Sequence, residues 1–203
     1  MTIAAPSMSL PISAIDRSWT LFLDRDGVIN RHRPNDYVKN VTEFEMLPGA
    51  PEALATLAPI FGRIIVVTNQ QGIAKGLYTT QDLNQIHAHM LRALEQAGGR
   101  IDRIYFSPHL DKDNSPMRKP GIGMALGAKN DFPEIDFSRS IMVGDSAHDI
   151  EFGRRAGMYT MLISTDGASF DPAAGPDATY RSLHAVAEDI LRRRPKSEGH
   201  RMR

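Results

Sequence analysis

Four short stretches of this sequence carry side chains fit for chemistry. Leu21-Phe22-Leu23 runs into Asp24-Arg25-Asp26-Gly27. Ile65-Val66-Val67 runs into Thr68-Asn69-Gln70-Gln71-Gly72, and Ile141-Met142-Val143 into Gly144-Asp145-Ser146-Ala147-His148-Asp149. The fourth, Arg118-Lys119-Pro120, precedes a helix-forming stretch. Each alone has an ordinary explanation, because an Asp or Thr after a strand commonly forms a turn or caps a helix. All four together, each at the end of a buried strand or the start of a helix, point to one site. Asp24 and Asp26 lie on the same side of an extended backbone, and paired carboxylates can supply a nucleophile and a proton donor. Oxygen ligands suit Mg²⁺. Lys and Arg suit an anionic substrate.

The elements that must position these residues are legible from periodicity. Residues 19–23, 140–143 and 159–163 read as apolar strands, 63–67 is β-branched and continuous as expected of a parallel strand covered on both faces, and 101–106 is a further strand candidate. Helical spacing predicts helices over 49–57, 79–97, 120–130, 150–156 and 183–191. In the second, Leu83, Ile86, Met90, Leu94 and Ala97 form the apolar side, Thr79 or Thr80 can cap it, and Gly98-Gly99 stops it. Strand and helix alternate, so the fold class is α/β, a Rossmann-like and mostly parallel sheet flanked by helices. Ligands in such folds bind at the carboxyl ends of the strands, near the point where strand order reverses. Residues 1–18 read as a loose arm, 19–191 as a single domain, 166–177 as a surface loop, and 192–203 as a basic flexible tail.

Composition narrows the function classes. The 203 residues hold 24 Lys plus Arg and 24 Asp plus Glu, so the formal net charge is zero and a strongly basic nucleic-acid binder is not expected. The balance is uneven: residues 192–203 carry six basic residues against Glu198, leaving 18 basic and 23 acidic residues elsewhere. A basic tail can contact RNA or a partner. There is no Cys, which excludes disulfides and Cys-ligated zinc and fits a reducing cytoplasm. No apolar run approaches a membrane span, and residues 1–18 lack a secretory pattern, so a soluble cytoplasmic protein is expected.

The four stretches resemble the motifs of the haloacid dehalogenase (HAD) superfamily of phosphohydrolases: Asp-x-Asp after the first strand, Thr or Ser after the second, a Lys, and a final Gly-Asp followed by another acid. The likeness covers about residues 19–165. It implies that Asp24 is the nucleophile forming an aspartyl-phosphate. Asp26 would be the general acid and then the base, with a raised pKa beside an ionised Asp24. Mg²⁺ would be held by Asp24, the main-chain carbonyl of Asp26 and Asp145. Thr68 and Asn69 would hold phosphate oxygens, and Lys119 would neutralise nucleophile and phosphate. Asp149 would orient Lys119 or belong to the metal shell. Asp26 and Thr68 are 42 residues apart and Thr68 and Lys119 51, too few for an inserted cap domain, so a capless enzyme is expected.

Residues 22–30 and 67–76, Tyr37-Val38, Phe44-Glu45, Ser107-Pro108-His109 and Arg118-Lys119-Pro120 are similar to the D-glycero-D-manno-heptose 1,7-bisphosphate phosphatases and the related histidinol-phosphatases. Two features depart from that pattern. Ser107, Ser115 and Met117 stand where the family has zinc-binding Cys, and His109 alone cannot hold zinc, so no structural zinc is expected. Ser146 stands where the family has a substrate Lys. A sugar bisphosphate needs a second cationic subsite, for which Arg118 is the first candidate. Arg31, Arg33 and Lys75 could assist or be solvated. Histidinol phosphate would call for acids such as Asp36 or Glu43. The expected partner is a small phosphorylated metabolite bound by a monomer. The alternatives are histidinol phosphate or another small sugar phosphate, and a non-catalytic module using the basic tail.

Overall fold

The computed structural model describes residues 11–165 and 175–194. Among them, six strands form one sheet: β1 (Thr20–Leu23), β2 (Arg63–Asn69), β3 (Arg103–Ser107), β4 (Ser140–Gly144), β5 (Tyr159–Ile163) and β6 (Ala178–Tyr180). The spatial order is β3-β2-β1-β4-β5-β6, and every neighbouring pair is parallel. The helices are α1 (Ala50–Leu57), α2 (Thr80–Gln96), α3 (Gly123–Asp131), α4 (Ala147–Ala156) and α5 (Leu183–Arg193).

Side chains alternate along each strand and so feed two cores. Leu21, Leu23, Ile64, Val66, Ile141 and Val143 pack with α1, α2 and α5. Phe22, Ile65, Val67 and Met142 pack with α3 and α4. Burial on both faces is why these strands read as continuous apolar runs. β1 is central, with Leu23 opposite Val66 on one side and Val143 on the other. Strand order reverses at β1, which places the ligand crevice at its carboxyl end.

Capping sets the helix starts. Thr79 and Asp82 form a reciprocal capping box on α2, and Ser146 and Asp149 form one on α4. That second box starts α4 at Ala147, ahead of the expected 150. α3 instead starts late, at Gly123. The preceding residues make turns, with Gly121 N–H donating to the Arg118 carbonyl (2.7 Å) and Gly123 N–H to that of Pro116 (2.8 Å). β6 was not expected, because three half-exposed residues carry no clear period. Of the expected loop 166–177, residues 166–174 lie outside the described residues.

The expectation of a loose arm fails where that segment is described. Ile12–Ala14 form a 3-10 turn, and Ile12 and Ile15 are buried in the core shared with α5. Arg194 Nε also donates to the Ile15 carbonyl (3.1 Å). Two apolar residues anchor the segment, and Pro11 and Ser13 hide them from a periodicity test. In the basic tail, Arg192 and Arg193 belong to α5 and both pair with Asp189. Residues 195–203 lie outside the described residues. Among the described residues, no helix is long and apolar enough to cross a membrane.

An Ile15→Ala variant therefore loses about 2–5 kcal/mol of stability in urea unfolding. A loose arm would leave the midpoint unchanged.

Candidate active site

The carboxyl ends of β1, β2 and β4 and the turn before α3 meet in a cavity of about 510 Å³. Asp24 and Asp26 line it, as do Thr68 and Asn69 at the end of β2, Arg118 and Lys119 before α3, and Asp145 after β4. The fold thus brings together every site residue read from the sequence.

Lys119 lies at the base of this cavity and is only 2% exposed. Its Nζ is 2.9 Å from Asp24 Oδ1 and 2.6 Å from Asp149 Oδ1, and it donates to the Val67 carbonyl at 2.8 Å. Asp149 Oδ2 accepts from the Ser146 N–H (3.0 Å) and hydroxyl (2.6 Å). Asp149 therefore caps α4 with one oxygen and orients Lys119 with the other. Burial alone would lower the Lys119 pKa, but Asp149 and Asp24 override it and raise it.

Two glycines make the close approaches possible. Gly27 has φ +83°, and a Cβ there would sit 1.8 Å from Asp145 Oδ2. A Cβ on Gly144 would sit 2.1 Å from Asp149 Cβ. Only glycine lets both carboxylates close on β1.

Asp26 is held differently from Asp24. Arg25 Nη2 donates to both its oxygens at 2.9 Å, Asn30 Nδ2 to Oδ1 at 2.9 Å, and Gln70 Nε2 to Oδ2 at 2.9 Å. Burial would raise the Asp26 pKa, but the Arg25 charge and these hydrogen bonds hold it below the usual carboxylate value. Burial, reinforced by Asp149, Asp145 and Asp26 and opposed by Lys119, raises Asp24 to about 8. With no divalent cation beside them, the two aspartates reverse the expected order of a raised Asp26 beside an ionised Asp24. The reason is that Arg25 stands beside Asp26, whereas Asp24 faces three other carboxylates.

Asn69 also departs from expectation. Its Nδ2 donates to the Lys119 carbonyl (3.1 Å), and its Oδ1 accepts from the Lys119 N–H (3.0 Å). The side chain clamps the Lys119 backbone to β2, using Oδ1 and one of the two Nδ2 hydrogens, while Asn69 still lines the cavity. Thr68 is buried, and its Oγ1 accepts from Gln70 Nε2 (2.9 Å).

Counting charge shows what the site lacks. Around Lys119 the four carboxylates Asp24, Asp26, Asp145 and Asp149 are paired with two permanent cations, Arg25 and Lys119, with His32 4.0 Å from Asp145; when all four are ionised they exceed those two cations by two negative charges. Burial, with Asp149 next to it, raises Asp145 to about 7. Asp24, Asp145 and Asp149 each offer an oxygen within 4.8 Å of the others. Clustered hard oxygen donors with two uncompensated negative charges fit a divalent cation such as Mg²⁺.

The sequence motifs match known proteins along most of the chain. The family model described as HAD-hydrolase-like matches residues 116–192. A D-glycero-alpha-D-manno-heptose-1,7-bisphosphate 7-phosphatase of Mycobacterium tuberculosis is 40% identical over 172 residues, 83% of this chain and 90% of that protein. A D-glycero-beta-D-manno-heptose-1,7-bisphosphate 7-phosphatase of Bordetella bronchiseptica is 37% identical over 84% of this chain and 97% of that protein. The crystal structure of the D,D-heptose 1,7-bisphosphate phosphatase from B. bronchiseptica, complexed with magnesium and phosphate, superposes with a TM-score of 0.77. It is 33% identical and covers 86% of this chain and 98% of that one. This chain belongs to the heptose bisphosphate phosphatase family of HAD-like hydrolases.

Against the heptose bisphosphate phosphatase pattern, the segment before Arg118 is held by hydrogen bonds. Ser107 Oγ lies 3.2 Å from His109 Nδ1, Leu110 N–H donates to Asp113 Oδ2 (2.9 Å), and Met117 N–H donates to Ser115 Oγ (3.3 Å). Arg118 Nε donates to Asp111 Oδ1 (3.3 Å), while Nη1 is buried with no hydrogen-bond partner among the described residues. The flap over the cavity, residues 31–46, neutralises its own cations. Arg31 pairs with Glu45 (3.0 Å), Arg33 with Glu43 (3.3 Å) and Lys39 with Asp36 (2.7 Å). Lys75 donates instead to Tyr37 Oη (2.8 Å).

Sequence reasoning missed Arg25, Asn30, Gln70, Tyr78 and His87, which surround Asp26. His87 carried a usable signal, since it sits between Ile86 and Met90 on the apolar side of α2. Nothing comparable marks Tyr78.

Carboxylates with raised pKa values hold protons that the unfolded chain releases near 3.8, so without a divalent cation stability falls as pH rises from about 4 toward 8. Metal binding needs those protons gone. The thermal shift given by Mg²⁺ is therefore larger at about pH 8 than at about pH 5. A Gly27→Ala variant, which displaces Asp145, loses that shift at both pH values and loses phosphatase activity by roughly 100-fold or more.

Proposed function

We propose that this phosphatase removes the 7-phosphate of a D-glycero-D-manno-heptose 1,7-bisphosphate, acting as a cytoplasmic monomer with Mg²⁺ held by Asp24, Asp145 and the Asp26 carbonyl. Bound there, Mg²⁺ neutralises carboxylate and phosphate charge, so that one anion can approach the other. Asp24 attacks phosphorus while the bond from phosphorus to the sugar oxygen breaks, and Asp26 gives that oxygen its proton. Water then attacks the aspartyl-phosphate, Asp26 takes the water's proton, and the bond to Asp24 breaks to release phosphate. A phosphate dianion against Asp26 is a like charge that raises its proton affinity, opposing the pull of Arg25. Lys119 holds Asp24 in line and meets the phosphate charge.

The observation that carries the bisphosphate reading is Arg118. Its guanidinium is fixed through Nε, lines the reaction cavity and keeps Nη1 unpartnered. A second phosphate supplies the partner that a buried guanidinium nitrogen requires. The histidinol phosphate reading has less support, because Asp36 and Glu43 already pair with Lys39 and Arg33. The tail-binding reading has less support because Arg192 and Arg193 already pair with Asp189. Relatives named for the alpha and for the beta anomer are similarly close to this chain, at 40% and 37% identity. Hydrogen bonds within the segment before Arg118 support the expectation of no structural zinc there, and metal analysis of the purified protein is expected to find none in stoichiometric amount.

Phosphate release from α- and β-heptose 1,7-bisphosphate, histidinol phosphate and sugar monophosphates tests the reading. A heptose bisphosphate gives the highest kcat/KM, and Asp24→Asn abolishes release from every substrate. Arg118→Ala raises KM for the bisphosphate about 10- to 100-fold and changes KM for monophosphates far less. Preference for histidinol phosphate would overturn the sugar assignment and leave the reaction chemistry standing.

A further inference from the structure

The side chains behind Asp26 form a hydrogen-bonded chain that the reaction described above does not use. Gln70 is 2% exposed and Tyr78 6%. Gln70 Nε2 donates to Asp26 Oδ2 and to Thr68 Oγ1, both at 2.9 Å. Its Oε1 accepts from the Tyr78 hydroxyl at 2.6 Å, so the amide orientation is fixed from both ends. The Gln70 backbone is pinned as well, with its N–H donating to the Ser107 carbonyl at 2.7 Å. Burial keeps the Tyr78 hydroxyl protonated far above its ordinary range, so it remains a donor. The Tyr78 ring is locked over Gly72, where a Cβ would sit 2.2 Å from its Cε1.

The other oxygen of Asp26 is held from a second direction. Asn30 and Arg25 converge on Oδ1, and Arg25 Nη1 reaches His87 Nε2 at 3.3 Å. Burial and the Arg25 charge hold His87 near pKa 3, so its ring is neutral and Nε2 accepts. Arg25 and Asn30 are themselves buried and follow the backbone of the β1 turn. Gln70 is different, because it comes from β2 and ties the Asp26 side chain to another strand.

We propose that Gln70, locked by Tyr78, is a positioning residue that fixes the Asp26 side chain where it serves the leaving oxygen. This inference rests on the reading of Asp26 given above. A group that acts only through Asp26 has no effect of its own once Asp26 is gone.

The test is a double-mutant cycle with heptose 1,7-bisphosphate and Mg²⁺. Gln70→Leu lowers kcat roughly 10- to 100-fold with KM changed less than about threefold. Tyr78→Phe keeps the ring over Gly72 and gives a smaller loss of the same kind. In an Asp26→Asn background, neither substitution lowers kcat further. With p-nitrophenyl phosphate, whose phenolate leaves without a proton, Gln70→Leu loses less than it does with the sugar ester. Losses that multiply in the Asp26→Asn background, or a wild-type kcat in both Gln70→Leu and Tyr78→Phe, overturn the proposal. No phosphate release by the wild-type protein from either ester overturns the phosphatase reading itself, and the positioning role with it.

Discussion

Lys119 is a charged group with almost no contact with solvent, and three elements must be in register before it can be there. Its ammonium reaches the Val67 carbonyl on β2, Asp24 beyond β1 and Asp149 on α4, while Asn69 clamps its backbone. Removing one partner of such a buried pair typically costs about 3–5 kcal/mol, because the other charge is left uncompensated. The strand order satisfies this demand by setting β2, β1 and β4 side by side. The short turn before α3 satisfies it by carrying Lys119 to the carboxyl ends of β1 and β2. The two cores, the capping box on α4 and the glycines at 27 and 144 all serve the same registration.

The parts of this arrangement visible in the sequence are those that repeat a simple rule. Apolar runs gave away β1, β2, β4 and β5, because burial on both faces leaves little room for polar residues there, and β3 showed through Ile104, Tyr105 and Phe106. The polar residues that end β1, β2 and β4 stand out against those runs, which is why Asp24, Thr68 and Asp145 could be read directly. Ile12 and Ile15 were invisible because a two-residue anchor has no period. β6 was invisible because a short, half-exposed edge strand resembles a loop. Asn69 was assigned to phosphate by motif, yet its partner is a backbone 50 residues away, a contact that exists only once the chain has folded.

With no divalent cation beside them, the proton affinities of the two aspartates run opposite to the expectation, for an electrostatic reason. The spacing Asp24-Arg25-Asp26 shows two carboxylates but not where the intervening guanidinium points. Arg25 folds inward onto Asp26 and His87, so the second aspartate gains a cation while the first gains three like charges. The charge around Asp24 and Asp26 is thus a collective property of four neighbouring carboxylates with Arg25 and Lys119, and no single motif carries it.

Above the sheet, the flap obeys a separate economy. Arg31, Arg33 and Lys39 are paired with acids of their own segment, so a substitution among them leaves the ion pairs of Lys119 and Asp26 intact. The flap can therefore drift in sequence without disturbing those pairs, whereas Arg118, one residue from Lys119, cannot change without touching the turn that carries the buried ammonium.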